Sequence, residues 1–195
     1  AIVAALRGLG PPLGPPVPIP TTTIPRDERP STVEVAPGDD LNAILARIAK
    51  GSTIEFGAGV HEYTEPIVVG IGVRFVGVGR DQTTIRSSAE GVAIAFVGPG
   101  AFELRNMTVE HTGAAEASVV LAIEGPVTIE ASTIQGGVAG DSVDAGGGHG
   151  VIFAFDPLEG FPERTEAERA GALLIDDTII ADNDAAGVLA TGTAR

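Results

Sequence analysis

Four side chains that can bind a cation or carry a proton fall within one Gly-rich stretch, "GDSVDAGGGHGVIFAFD": Asp141, Asp144, His149 and Asp156. Carboxylate oxygens on a flexible loop suit Ca²⁺, a hard cation that accepts loose geometry. The same Asp and Gly residues also serve turn geometry in a solvated loop. A second acidic stretch, "DDTIIADND", holds Asp176, Asp177, Asp182 and Asp184. Glycoside hydrolysis needs two carboxylates about 5–10 Å apart. Alternation along a strand sends Asp176 and Asp177 to opposite faces, so they make a poor pair. Asp182 and Asp184 could share a face or lie in a turn between elements. His111, after Glu110 at a strand end, could act as a general base near neutral pH, or be structural. His61, in the "AGVHEY" turn, reads as structural. Arg74, Arg80, Arg86 and Arg105 are spread along the middle of the chain, and Arg80 could bind Asp81 or a carbonyl. "GVGRDQTT" lacks the third Gly and the helix of a nucleotide-binding fingerprint, which excludes such a site.

These residues sit in a chain of 195 with 27 Gly, 14 Pro, no Cys and a formal charge of −14. So many breakers favour short strands joined by turns over long helices. Aromatics are 4% and hydrophobic residues 44%, which predicts an aliphatic, small-residued core. One Lys and eleven Arg give little to neutralise phosphates, so neither nucleic acid nor an anionic membrane is an expected partner. No apolar run reaches the roughly 20 residues of a membrane span. The acidity fits plain solubility or cation binding. Starting at Ala1 and stopping after "GVLATGTAR" reads as a fragment or processed product whose C-terminal coil stacks on something: a continuation of the chain, or another copy, end to end.

Residues 1–9, "AIVAALRGL", pattern as the end of an amphipathic helix, and 10–31 as an extended Pro-rich linker. A domain over 32–195 follows. Val33 and Val35 alternate as a strand. Asp39 or Asp40 can cap a helix over 39–50, in which Leu41, Ile44, Leu45 and Ile48 recur at helical spacing before Gly51 stops it. From residue 52 the helical period gives way to short β-branched runs. Ile54, Phe75, Leu104, Ile129 and Ile175 take equivalent positions, 21, 29, 25 and 46 residues apart. A second series, Val92, Val119, Val151 and Val188, alternates with the first. "FELRNMTV", "VTIEASTI" and "LLIDDTII" share one template. A period in the twenties with loop insertions is the mark of a solenoid, each strand pairing with its own copy one coil on. The insertion "DPLEGFPERTEAERAG" accounts for the longest spacing. Its Leu158 and Phe161 could anchor it to the solenoid side or meet a partner.

The opening "VEVAPGDDLNAILARIAKGSTIEFGAGVHEY", the following "VRFVGVGRDQTTI" and the repeated "LRNMTV"-type strands resemble the right-handed parallel β-helix, pectate-lyase-like family over residues 32–195. The resemblance implies an all-β, right-handed parallel β-helix with a short N-terminal capping helix. It also implies that in an enzymatic member Ca²⁺ bridges acidic side chains to an acidic sugar while an Arg removes the proton. The residues available for that are Asp141, Asp144 and Asp156 as ligands, with Arg105 or His111 as base. Members often stack Asn at one turn; here Asn106 has Ala131 and Asp177 as its equivalents, which breaks such a ladder. The N-terminal nine residues and linker resemble the end of a bacterial serine/threonine protein kinase domain. That would make the β-helix the sensor or interaction part of a cytoplasmic kinase; otherwise a secreted protein is expected. The fold hosts lyases, hydrolases and non-catalytic modules alike, so function must come from the site. The first expectation is a non-catalytic module without cofactor, binding a polysaccharide or protein. The alternative is a polysaccharide lyase or glycoside hydrolase acting on acidic sugars, with Ca²⁺.

Overall fold

A computed structural model of the chain describes residues 29–123, 125–140, 147–154 and 172–191. β1 (Thr32–Val35) leads into a short helix, α1 (Leu41–Leu45). Five coils follow. The first is β2 (Thr53–Phe56), β3 (Gly59–Tyr63) and β4 (Ile67–Val69). The second is β5 (Val73–Val76), β6 (Thr83–Ser87) and β7 (Gly91–Phe96). The third is β8 (Phe102–Arg105), β9 (Thr108–His111) and β10 (Ala117–Ile123). The fourth is β11 (Val127–Glu130), β12 (Thr133–Gln135) and β13 (Val151–Ala154). The fifth is β14 (Leu173–Asp176), β15 (Ile179–Ala181) and β16 (Val188–Thr191).

Strands stack on their counterparts to give three parallel sheets. Sheet A runs β1-β2-β5-β8-β11-β14, sheet B β3-β6-β9-β12-β15, and sheet C β4-β7-β10-β13-β16. The chain is therefore an all-β parallel solenoid. In sheet A the register aligns Ile54, Phe75, Leu104, Ile129 and Ile175, the column read from the sequence. Each of the three template stretches is two strands joined by a corner. Asn106, Ala131 and Asp177 are the corner residues, with φ of 56°, 48° and 41°. Left-handed backbone suits Asn and Asp, whose short polar side chains tolerate it; Ala has no such excuse.

In sheet C the register differs from the sequence alignment. Val92 pairs with Ser118, and the inward column is Ile94, Val120, Val151 and Val188. The reason is burial on both faces. β10 has only Leu121 less than fully buried, so no polar alternation marks which residues point inward.

The helix is also shorter than its apolar spacing predicts. Asp40 caps it, its Oδ1 accepting from Ala43 N–H at 3.0 Å. Ile48 is buried beyond its end, in the turn that returns the chain to the sheets. There Gly51, at φ 86°, donates its N–H to Gly72 O at 2.7 Å, so these residues already belong to the coil stack.

The interior is mostly aliphatic, with a few buried phenylalanines. Phe56, Phe75, Phe96, Phe102 and Phe153 are among its largest fully buried side chains. Four of them form a file across coils, Phe56–Phe75–Phe102–Phe96, with centroids 5.2, 5.3 and 5.4 Å apart. The few aromatics are thus concentrated where they fill most volume. At the fifth coil the inward columns open: Val188 is 42% exposed, whereas Val151 before it is fully buried. No helix among the described residues is long and apolar enough to cross a membrane.

Candidate functional site

The outward faces of sheets A and B carry the charged side chains, held there by strand alternation. On sheet A, in-register outward positions place Arg74 beside Glu103 and Arg105 beside Glu130. Arg74 Nε lies 3.1 Å from Glu103 Oε1, Arg105 Nε lies 3.1 Å from Glu103 Oε2, and Arg105 Nη1 pairs with Glu130 Oε2. The result is a four-membered ladder, Arg74–Glu103–Arg105–Glu130, across three coils. On sheet B a second ladder runs Glu62–Arg86–Glu110–Gln135. Arg86 Nε donates to Glu110 Oε1 at 2.6 Å, Arg86 Nη1 lies 3.5 Å from Glu62 Oε1, and Gln135 Nε2 donates to Glu110 Oε2 at 3.1 Å. The Glu110 hydrogen bond and charge push the Arg86 guanidinium further above its ordinary range, so it stays a cation. Arg80 donates to both the backbone and side chain of Asp177 rather than to Asp81.

The histidines do other work. His61 and His111 point into the core and are almost wholly buried. His61 Nε2 donates to Gly57 O and His111 Nε2 to Ala89 O, each at 3.0 Å; the carbonyls can only accept, so each Nε2 carries the proton. Each Nδ1 is buried without a hydrogen-bond partner. Both rings therefore lie away from any surface a polymeric substrate could reach. His149 is half-buried, its Nδ1 accepting from Ala186 N–H at 3.3 Å.

Among the described residues the acidic candidates do not converge. Asp176 ends β14 and Asp177 is the corner after it. Asp182 is also a left-handed corner residue, at φ 52°, and its carbonyl accepts from Gly136 N–H. Asp184 Oδ2 accepts from Ala139 N–H at 3.2 Å. Both serve the turn between sheets B and C. Asp141, Asp144 and Asp156 lie outside the described residues, as do Leu158 and Phe161. Among the described residues no three His, Asp or Glu side chains lie close enough to hold a metal ion.

A shallow open depression at the N-terminal end of sheet A is rimmed by Glu34, Asp39 and Glu55. Glu34 and Glu55 are in-register neighbours, so like charges face each other there. Neither this acidic rim nor the ladders is among the sites expected from the sequence. The signal for the sheet A ladder was present: the residues flanking Phe75, Leu104 and Ile129 in the Ile54–Ile175 column include Arg74, Glu103, Arg105 and Glu130, which pair opposite charges in register. The Arg80–Asp177 contact left no such trace, because a turn's path is set by no period. A scan against protein-family models finds none that matches the chain, and no curated protein matches it.

Proposed function

We propose that this chain is a non-catalytic module, a right-handed parallel β-helix of the pectate-lyase-like kind. In this reading it offers a rigid side for ligand sensing or protein interaction within a larger signalling protein. The observation that carries the reading is the state of the arginines. Arg74, Arg86 and Arg105 are each tied to carboxylates of neighbouring coils. A lyase needs an arginine free to take a proton from the substrate. A guanidinium engaged by carboxylates of the neighbouring coils is turned away from that role, and Arg86, between Glu62 and Glu110, is held as a cation as well. The ladders instead tie coil to coil, which is scaffold work.

The right hand follows from the general chirality of parallel crossovers, nearly all of which are right-handed. The capping role of α1 is supported by Asn42. Its Nδ2 donates to Pro66 O at 3.1 Å and its Oδ1 accepts from Val68 N–H at 3.2 Å, so one amide satisfies the open edge of β4. The formal charge of −14 favours a neutral polysaccharide or a basic protein surface as partner over an acidic polymer.

The test is calorimetric titration with Ca²⁺, with and without polygalacturonate or alginate, while following the ultraviolet absorbance of an unsaturated product. No product is expected in either condition. Product formation that needs Ca²⁺ would overturn the module and make Asp141, Asp144 and Asp156 the residues to replace.

A further inference from the structure

The loop between β5 and β6 does more than turn the chain. It is fixed internally: Gln82 and Thr83 N–H both donate to Gly79 O at 2.9 Å, and Val78 N–H donates to Thr83 Oγ1 at 3.0 Å. Its outer side reaches the next coil, where Thr108 Oγ1 donates to Arg80 O at 2.9 Å. From there the guanidinium goes further. Arg80 Nη2 donates to Asp177 O at 2.6 Å and to Asp177 Oδ2 at 2.7 Å, 97 residues along the chain. Arg80 belongs to the second coil and Asp177 to the fifth. Coils are spaced about 4.8 Å apart, so beyond Thr108 the contact passes roughly 10 Å along the stack.

The corner column lies under that path. Asn106 N–H donates to Glu130 O, and Ala131 N–H to Asp176 O, which puts Asn106, Ala131 and Asp177 one above another. All three are left-handed. Two are residue types that tolerate that backbone; the middle one is not. We propose that Arg80 is a strap laid along the corner column, and that position 131 carries Ala because the strap passes over it. Backbone strain at Ala131 is then the cost of clearance, and the strap makes the order of the fifth coil depend on the second.

Amide hydrogen exchange on the full chain tests this. Arg80→Ala should speed exchange in residues 173–181 about tenfold while leaving 53–63 unchanged. Ala131→Asn should loosen the same segment in the native chain, because the longer side chain meets the strap. Combined with Arg80→Ala, the same Ala131→Asn change should slow exchange, because Asn then relieves the left-handed strain unopposed. Unchanged exchange over 173–181 in Arg80→Ala would overturn the strap. An effect of Ala131→Asn of the same sign in both backgrounds would overturn its path over Ala131. Should Arg80→Ala fail to fold, Asp177→Asn keeps the corner and its carbonyl while removing the charge. Faster exchange confined to 173–181 would then support the strap, and no change would overturn it.

Discussion

Replacing Phe75 by Ala tests both the register and the core. Phe75 is fully buried in sheet A, with the rings of Phe56 and Phe102 packed edge-on at 5.2 and 5.3 Å. Phe→Ala at such a site costs about 3–5 kcal/mol, transfer and residual cavity together. The two aromatic pairs place it toward the upper end, at about 0.5–1.5 kcal/mol each. Val76, the next residue, points outward and is half-buried. Val76→Ala should cost at most about 1 kcal/mol, from lost strand preference. Because the chain has no Trp, urea unfolding is best followed by far-ultraviolet circular dichroism. A domain of ordinary stability, about 5–15 kcal/mol, should survive Phe75→Ala with a much lower midpoint. Similar costs for the two changes would refute the reasoning, since a one-residue slip exchanges the faces of a strand.

The single tyrosine offers a second test. Burial first, then the negative charges of Asp39 and Asp40, push the Tyr63 phenol from 10.0 up to about 12. The folded state thus keeps this proton where the unfolded state has released it. The stability tied to it is complete below pH 10 and lost as pH rises from 10 to about 12. Phenolate absorbance should show a native midpoint near 12 and one near 10 in urea; coincident midpoints would contradict the burial. Tyr63→Phe should be neutral or stabilising by up to about 1 kcal/mol in a urea titration, because the hydroxyl is buried without a partner. Gly136 combines φ 86° with a position where a Cβ would overlap the His111 carbonyl oxygen. Gly136→Ala should therefore lower the unfolding midpoint by far more than Gly70→Ala, where nothing stands nearby.

The inward columns of sheet A were legible because aliphatic residues alternate there with charged ones: Ile54 with Glu55, Leu104 with Glu103, Ile129 with Glu130. In sheet C the register shifts by one residue at "SVVLAI", because both faces of β10 are buried and alternation vanishes there. The helix start was legible in Asp40, but its end was not, since Ile48 keeps the apolar spacing after the helix has stopped. Reactive residue types were a poor guide to the site. His111 is typical of a general base by type and strand-end position, yet its strand register with Ser87 turns it inward. Arg105 looked available because its partner Glu130 is defined only once coils are stacked, although Glu103 precedes it by two residues on the same strand face.

The most direct measurement is a double-mutant cycle on Arg105 and Glu130, using Arg105→Gln, Glu130→Gln and the double variant, read by urea unfolding. An arginine that holds the coils together should show a favourable coupling of about 0.5–1 kcal/mol, shrinking in high salt, as partly exposed pairs do. A coupling of zero would contradict the structural role of the ladder and return Arg105 to the chemistry a lyase requires.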